Sequence, residues 1–301
     1  MRIRPVRSLA LACALACGSA GPAAADVPAG PAWRILVLVY PTTFVLRDGH
    51  TYLGTMDDGE RRRSMANARQ FVTADVARLD SGQMVPELTL RVVARPLGLS
   101  PDGGGGWHPD PADAAPERDP AFDSVIVVWD PRTIDAQLRP ANLLRYAGLT
   151  WPMGLGQTYS AIPAEYAAHD DTNVFKHEWG HAVLFFHDAF GLAPRPAVDN
   201  HGPAGRYVRC GDAAPYVWED EHAGRPIPDS IYNLDSGFTH DYYSGTTALA
   251  DAPADCLGIG PDAWAAGGPV QLQRVKTSTA AARMPSTATA TVMARETTAH
   301  T

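Results

Sequence analysis

Residues 177–187 read His-Glu-Trp-Gly-His-Ala-Val-Leu-Phe-Phe-His. A His-Glu-x-x-His core with a further histidine six positions on constrains the fold, because its residues converge only if the stretch is helical. On a helix, His177 and His181 are one turn apart and share a face, so both imidazoles can reach one ion. Glu178 projects beside the same place. Zinc commonly takes three protein ligands and leaves a fourth position to water. A carboxylate next to that water can accept its proton and pass it to a leaving amine. The chemistry expected is metal-assisted hydrolysis of a peptide or similar amide. A helix that merely carries surface histidines is the plain alternative. Gly180 favours the functional reading, since a glycine inside a helix costs up to about 1 kcal/mol and close approach of other backbone is one reason to accept that.

The first 25 residues read as a leader rather than as part of the fold. Arg2, Arg4 and Arg7 form a basic start, Ser8 to Ala16 is a short apolar run, and Ala23-Ala24-Ala25 offers a small-residue cleavage site. That is the pattern of a secretory signal peptide, and it is too short to span a membrane. A lipoprotein anchored at Cys17 is the alternative, although Ala14 stands where such sites carry leucine. No later segment reaches membrane-spanning length, so no membrane association is expected after cleavage. Loss of the three arginines takes the formal charge from −8 to −11. An acidic secreted chain is a poor nucleic-acid binder. Cleavage leaves only Cys210 and Cys256, and an oxidising compartment favours their pairing over two buried thiols.

Ile35 to Val39 is an unbroken apolar run and reads as a buried strand. Met65, Ala68, Val72, Val76 and Leu79 then recur at helical steps, with Arg61 to Arg63 and Arg78 on the wet side and Ser81-Gly82 as the stop. Leu88 to Val93 and Val125 to Trp129 are two more strands. Strand, helix, strand is a βαβ unit, which calls for a largely parallel sheet. Pro101 to Pro120, with Gly103 to Gly106 inside it, reads as a mobile surface loop, and Asp110, Asp113 and Asp119 in it are conceivable calcium ligands. Leu155 to Ala161, bordered by glycine and Pro163, suits an edge strand. Asp171 or Thr172 can cap a helix that starts near Asn173. The organisation expected is a leader (1–25), one folded domain (26–275) and a disordered tail poor in large apolar groups (276–301).

With these elements in order, the chain resembles the metzincin clan of zinc metallopeptidases. Their pattern is His-Glu-x-x-His-x-x-Gly-x-x-His, with a methionine turn later under the metal. The resemblance runs from about Trp33 to Ser244. It implies an α+β fold: a twisted mixed sheet with a backing helix, a substrate-binding edge strand, an active-site helix, and an irregular C-terminal half. Four strands are identifiable where the clan has five. By position, His177, His181 and His187 correspond to the three zinc ligands and Glu178 to the general base. Leu184 stands where the clan has glycine. A continuing helix would carry His187 about 240° round from His181, so ligation by His187 requires the helix to end near Leu184. Ser230 to Leu234 resembles the methionine turn with Tyr232 in place of methionine, 45 residues after His187. An ordinary buried turn is the alternative there.

The function expected is a secreted zinc-dependent endopeptidase holding one Zn²⁺ per chain and acting on a peptide or protein substrate. Substrate would lie as an added strand near Thr158 to Ser160. The alternatives are a gluzincin-like zinc hydrolase of another amide or ester, with Glu219 or Glu221 as third ligand, and an inactive secreted binding protein on the same fold. His240, Asp241, Tyr242 and Tyr243 follow that turn, and a histidine or tyrosine among them could hydrogen-bond a developing oxyanion. Oligomeric state is open.

Overall fold

The computed structural model describes residues 31–80, 82–101, 107–132, 134, 148–169, 172–192, 207–211 and 240–272. The leader, the glycine run at 103–106, Glu219, Glu221, Tyr232 and the C-terminal tail lie outside the described residues.

The protein is a mixed α+β fold built on a five-stranded sheet. Strand β1 (Ala32–Val39) is buried along its whole length. A continuous Ile/Leu/Val run of this kind needs cover on both faces and a parallel neighbour on both sides. Both neighbours are present once the next elements are in place. A hairpin follows β1, made of β2 (Thr42–Arg47) and β3 (His50–Thr55). Its two-residue turn is Asp48-Gly49, with φ of 52° and 76°, the left-handed pair that a tight hairpin requires. The backing helix α1 (Asp58–Gln70) starts on Asp57, whose carboxylate accepts the Glu60 amide at 2.9 Å. It runs through a π-helical turn at Phe71–Asp75 into α2 (Val76–Leu79). Strand β4 (Val85–Val92) then returns parallel to β1.

Short strands β5 (Leu97–Gly98), β6 (Ser100–Pro101) and β7 (Trp107–His108) lead to β8 (Ser124–Trp129), which is parallel to β1 on its other side. Next come β9 (Leu149–Pro152) and β10 (Thr158–Pro163). The sheet order is β4-β1-β8-β10-β9, with β9 alone antiparallel. The short α3 (Ala164–Ala167) and then the long α4 (Asn173–Phe190) complete this half. The C-terminal part holds β11 (Tyr207–Arg209), α5 (His240–Tyr243), β12 (Thr247–Leu249), β13 (Ala252–Leu257) and α6 (Pro261–Trp264). Strands β11, β12 and β13 form a small antiparallel sheet, and Cys210 is disulfide-bonded to Cys256 across it.

Strand alternation divides the core. Trp33, Ile35, Val37, Val39, Ile126, Val128 and Ile162 face the helices. Leu36, Leu38, Val125, Val127, Trp129 and Tyr159 face the other way, together with Val45 of β2 and Leu97 of β5. Buried Asp123 ties Val270 to the start of β1. Its carboxylate accepts the Arg34 and Val270 amides, each at 2.7 Å. Burial pushes that carboxyl up to about 6.

Two expectations are corrected. Leu155 to Ala161 does not form an edge strand. The strand there begins at Thr158 and is an interior one, paired to β8 on one side and β9 on the other. The bordering glycine and Pro163 do not exclude an interior strand, and Thr158 and Ser160 hydrogen-bond inside the sheet, to Ser124 at 2.9 Å and Thr150 at 2.8 Å. The edge is β9, so a peptide cannot add at Thr158 to Ser160. The second correction concerns the aspartates at 110, 113 and 119. Each accepts a nearby backbone amide at 2.8 Å, Asp113 from Asp110, Asp110 from Ala112 and Asp119 from Ala121. They close local turns, and among the described residues no three His, Cys, Asp or Glu side chains are grouped to hold a metal.

Candidate active site

Helix α4 carries the motif, and one face of it is anchored by aromatic packing. Trp179 is buried and stacks on Trp264 at 5.3 Å and Tyr243 at 5.6 Å between ring centroids. It meets Trp33 and Phe71 edge-on. Aromatic pairs of this kind contribute about 0.5–1.5 kcal/mol each beyond area burial. At the helix start, the Thr172 carbonyl accepts the Lys176 amide at 3.1 Å, and the Thr172 hydroxyl donates to Asp75 of the π-helical turn at 2.9 Å. Burial pushes the Asp75 carboxyl up to about 6, and buried Lys176 opposes that shift.

On a helix the anchoring residues and the histidine pair fall on opposite faces. His177 and His181 are half-buried, and their Nε2 atoms stand 3.2 Å apart with the rings at 82°. Two nitrogens each about 2.0–2.1 Å from a tetrahedral zinc stand about 3.3–3.4 Å apart. The pair therefore fits two zinc ligands. The same spacing suits a hydrogen bond between the rings in one tautomer. Either arrangement has both ring edges aimed at one point.

Glu178 is buried between the helix and the sheet edge. Thr150 of β9 donates from Oγ1 to Glu178 Oε2 at 2.5 Å. Thr150 Oγ1 also lies 2.8 Å from Ser160 Oγ. A Cβ added to Gly148 would stand 2.2 Å from Glu178 Oε1. Burial pushes the Glu178 carboxyl up to about 7, and the Thr150 hydrogen bond opposes the rise. A carboxylate in that range suits proton transfer near neutrality. Sequence reasoning missed Thr150 and Gly148. They lie about 30 residues upstream, and only strand pairing brings them to the helix.

His187 lies elsewhere. Helix α4 does not end near Leu184 but continues to Phe190, with Leu184 buried in it. Leucine favours a continuing helix and resists the left-handed turn that a bend would need. His187 is accordingly turned into the core. It is 1% exposed, stacks on Trp33, and meets Phe186 and Trp264 edge-on. Its Nδ1 lies 2.9 Å from the Val183 carbonyl oxygen, and burial pushes its pKa down to about 4. Among the described residues no third His, Cys, Asp or Glu joins the pair. Tyr243 is also committed, donating from its hydroxyl to the Lys176 carbonyl at 2.6 Å.

A cavity of about 240 Å³ lies under the β9–β10 turn, lined by Arg118, Phe122, Met153 and Gln157 among others. It contains none of the motif residues. No helix among the described residues is long and apolar enough to cross a membrane. No family model matches the chain, and no curated protein and no solved structure matches it.

Proposed function

We infer that the protein is a secreted zinc-dependent endopeptidase whose N-terminal half is metzincin-like. One observation carries this reading. His177 and His181 converge at zinc-ligand spacing while Glu178, between them in sequence, is held against the antiparallel edge strand. The five strands, backing helix, edge strand and motif helix occur in the order the clan resemblance implies. The leader sequence and the Cys210–Cys256 bond support an exported protein.

In this reading His177 and His181 hold the ion. Zinc, when bound, lowers the pKa of water and polarises a carbonyl. The outer edge of β9 orients an extended peptide by main-chain hydrogen bonds. Glu178 takes the proton of the attacking water at its carboxylate and gives it to the leaving amine. Since that amine gains what the water loses, Glu178 ends as it began.

A gluzincin-like third ligand is favoured over His187 by the unbroken helix. Glu219 and Glu221 are the candidates. Purified protein should hold about one zinc per chain. Glu178→Gln should keep the metal and lose most turnover of an unstructured protein such as casein. Full turnover in that variant would overturn the reading.

A further inference from the structure

The geometry points to a coupling between the edge strand and the base: an extended peptide that pairs along β9 fixes Thr150 and Gly148, and through them the carboxylate of Glu178. It rests on the reading of Glu178 as general base. Thr150 is a positioning residue here, since it acts through Glu178 and touches no reacting atom.

Three observations support the coupling. The Thr150 hydroxyl lies 2.5 Å from Glu178 Oε2 and 2.8 Å from Ser160 Oγ. Protons can therefore be ordered from Ser160 to Thr150 to the carboxylate, which leaves Thr150 donating to Glu178. Next, the carboxylate fills the space that a side chain at 148 would take, with Oε1 and Cδ at 2.2 Å and 2.5 Å from an added Cβ. Gly148 is not among the glycines with positive φ, so backbone freedom does not account for it. Finally, the four-residue strand that holds the base pairs only with β10 among the described residues. A strand with main-chain hydrogen bonds on one side only would be stiffened by a second set on the other. Binding energy from substrate residues far from the scissile bond would thereby be used to place the base. Energy used that way appears in kcat rather than KM.

The test uses the zinc-loaded full chain and peptides of increasing length around one cleavable centre. In the wild type, kcat should rise with length by about tenfold, with a smaller change in KM. Thr150→Val should lower kcat about ten- to a hundredfold, flatten its length dependence and leave zinc content unchanged. Thr150→Ser, which keeps the hydroxyl, should restore both. Gly148→Ala should lower kcat with Thr150 in place. A second readout needs no turnover. In metal-free protein, a denaturation cycle of Thr150→Val with Glu178→Ala should show non-additivity of at least about threefold in the folding constant. Turnover without length dependence would overturn the coupling and leave the peptidase reading intact. Absence of turnover on every peptide would overturn the peptidase reading itself. The cycle then decides the clamp alone: non-additivity supports it and additivity overturns it.

Discussion

Replacing His187 by leucine separates a ligand from a core residue. The imidazole is 1% exposed and packed among Trp33, Phe186 and Trp264, so leucine of similar volume should fill the site. The histidine's pKa falls from 6.5 to about 4 on folding. The unfolded chain therefore binds more protons between these values, and the wild type loses stability as pH falls from 6.5 toward 4. From pH 7 to 4.5 the loss from this one group comes to about 2–3 kcal/mol. His187→Leu cannot titrate, so its stability relative to wild type should rise by that amount over the same range. The assay is urea denaturation of metal-free protein at both pH values. Zinc stoichiometry at pH 7 should match wild type. Severe loss of zinc in His187→Leu, or a difference from wild type that does not change with pH, would refute the core assignment.

Reduction of the Cys210–Cys256 bond should cost about 4 kcal/mol on the chain-entropy model, since the bond closes a separation of 46 residues. Two thiols alkylatable in native protein without reductant would contradict the pairing. Asp123→Ala should destabilise by about 2–4 kcal/mol by leaving the buried Arg34 amide and the part-buried Val270 amide without an acceptor. Asp123 also has its pKa raised to about 6 in the fold, so its contribution favours folding most below pH 3.8 and declines as pH rises through 6. Chemical denaturation of wild type and variant across that window measures both effects.

The parts of the fold that local sequence made legible share one trait. Strands β1 and β8 are nearly continuous apolar runs, β4 carries Leu88, Leu90 and Val92 at alternate positions, and the helical steps from Met65 to Leu79 mark α1 and α2, so each carries its own signal. The edge strand carries almost none. It is four residues long and ends in proline. The bordering glycine and Pro163 made its neighbour read as the edge, while the partners of Thr158 and Ser160 in the sheet interior, Ser124 and Thr150, come from separate strands. In the site, His177, Glu178 and His181 were legible because one helical turn fixes their relation. The cradle of Thr150 and Gly148 depends on strand pairing that no local window contains. At His187 two signals competed, the clan spacing and the helix propensity of Leu184, and propensity prevailed.

The meeting of the two ends of the described chain sets when this protein can become native. The Gly268 amide donates to the Ala32 carbonyl, and Gln271 accepts the Ala32 amide at 2.8 Å, across 239 residues. Trp264 closes the stack beneath the motif helix. Strand β1 therefore waits for residues 264–271 before the contacts at its start and the cover of Trp179 exist. Such long-range closure is slow. Until residues 264–271 are made, the first strand and the motif helix therefore lack part of their cover.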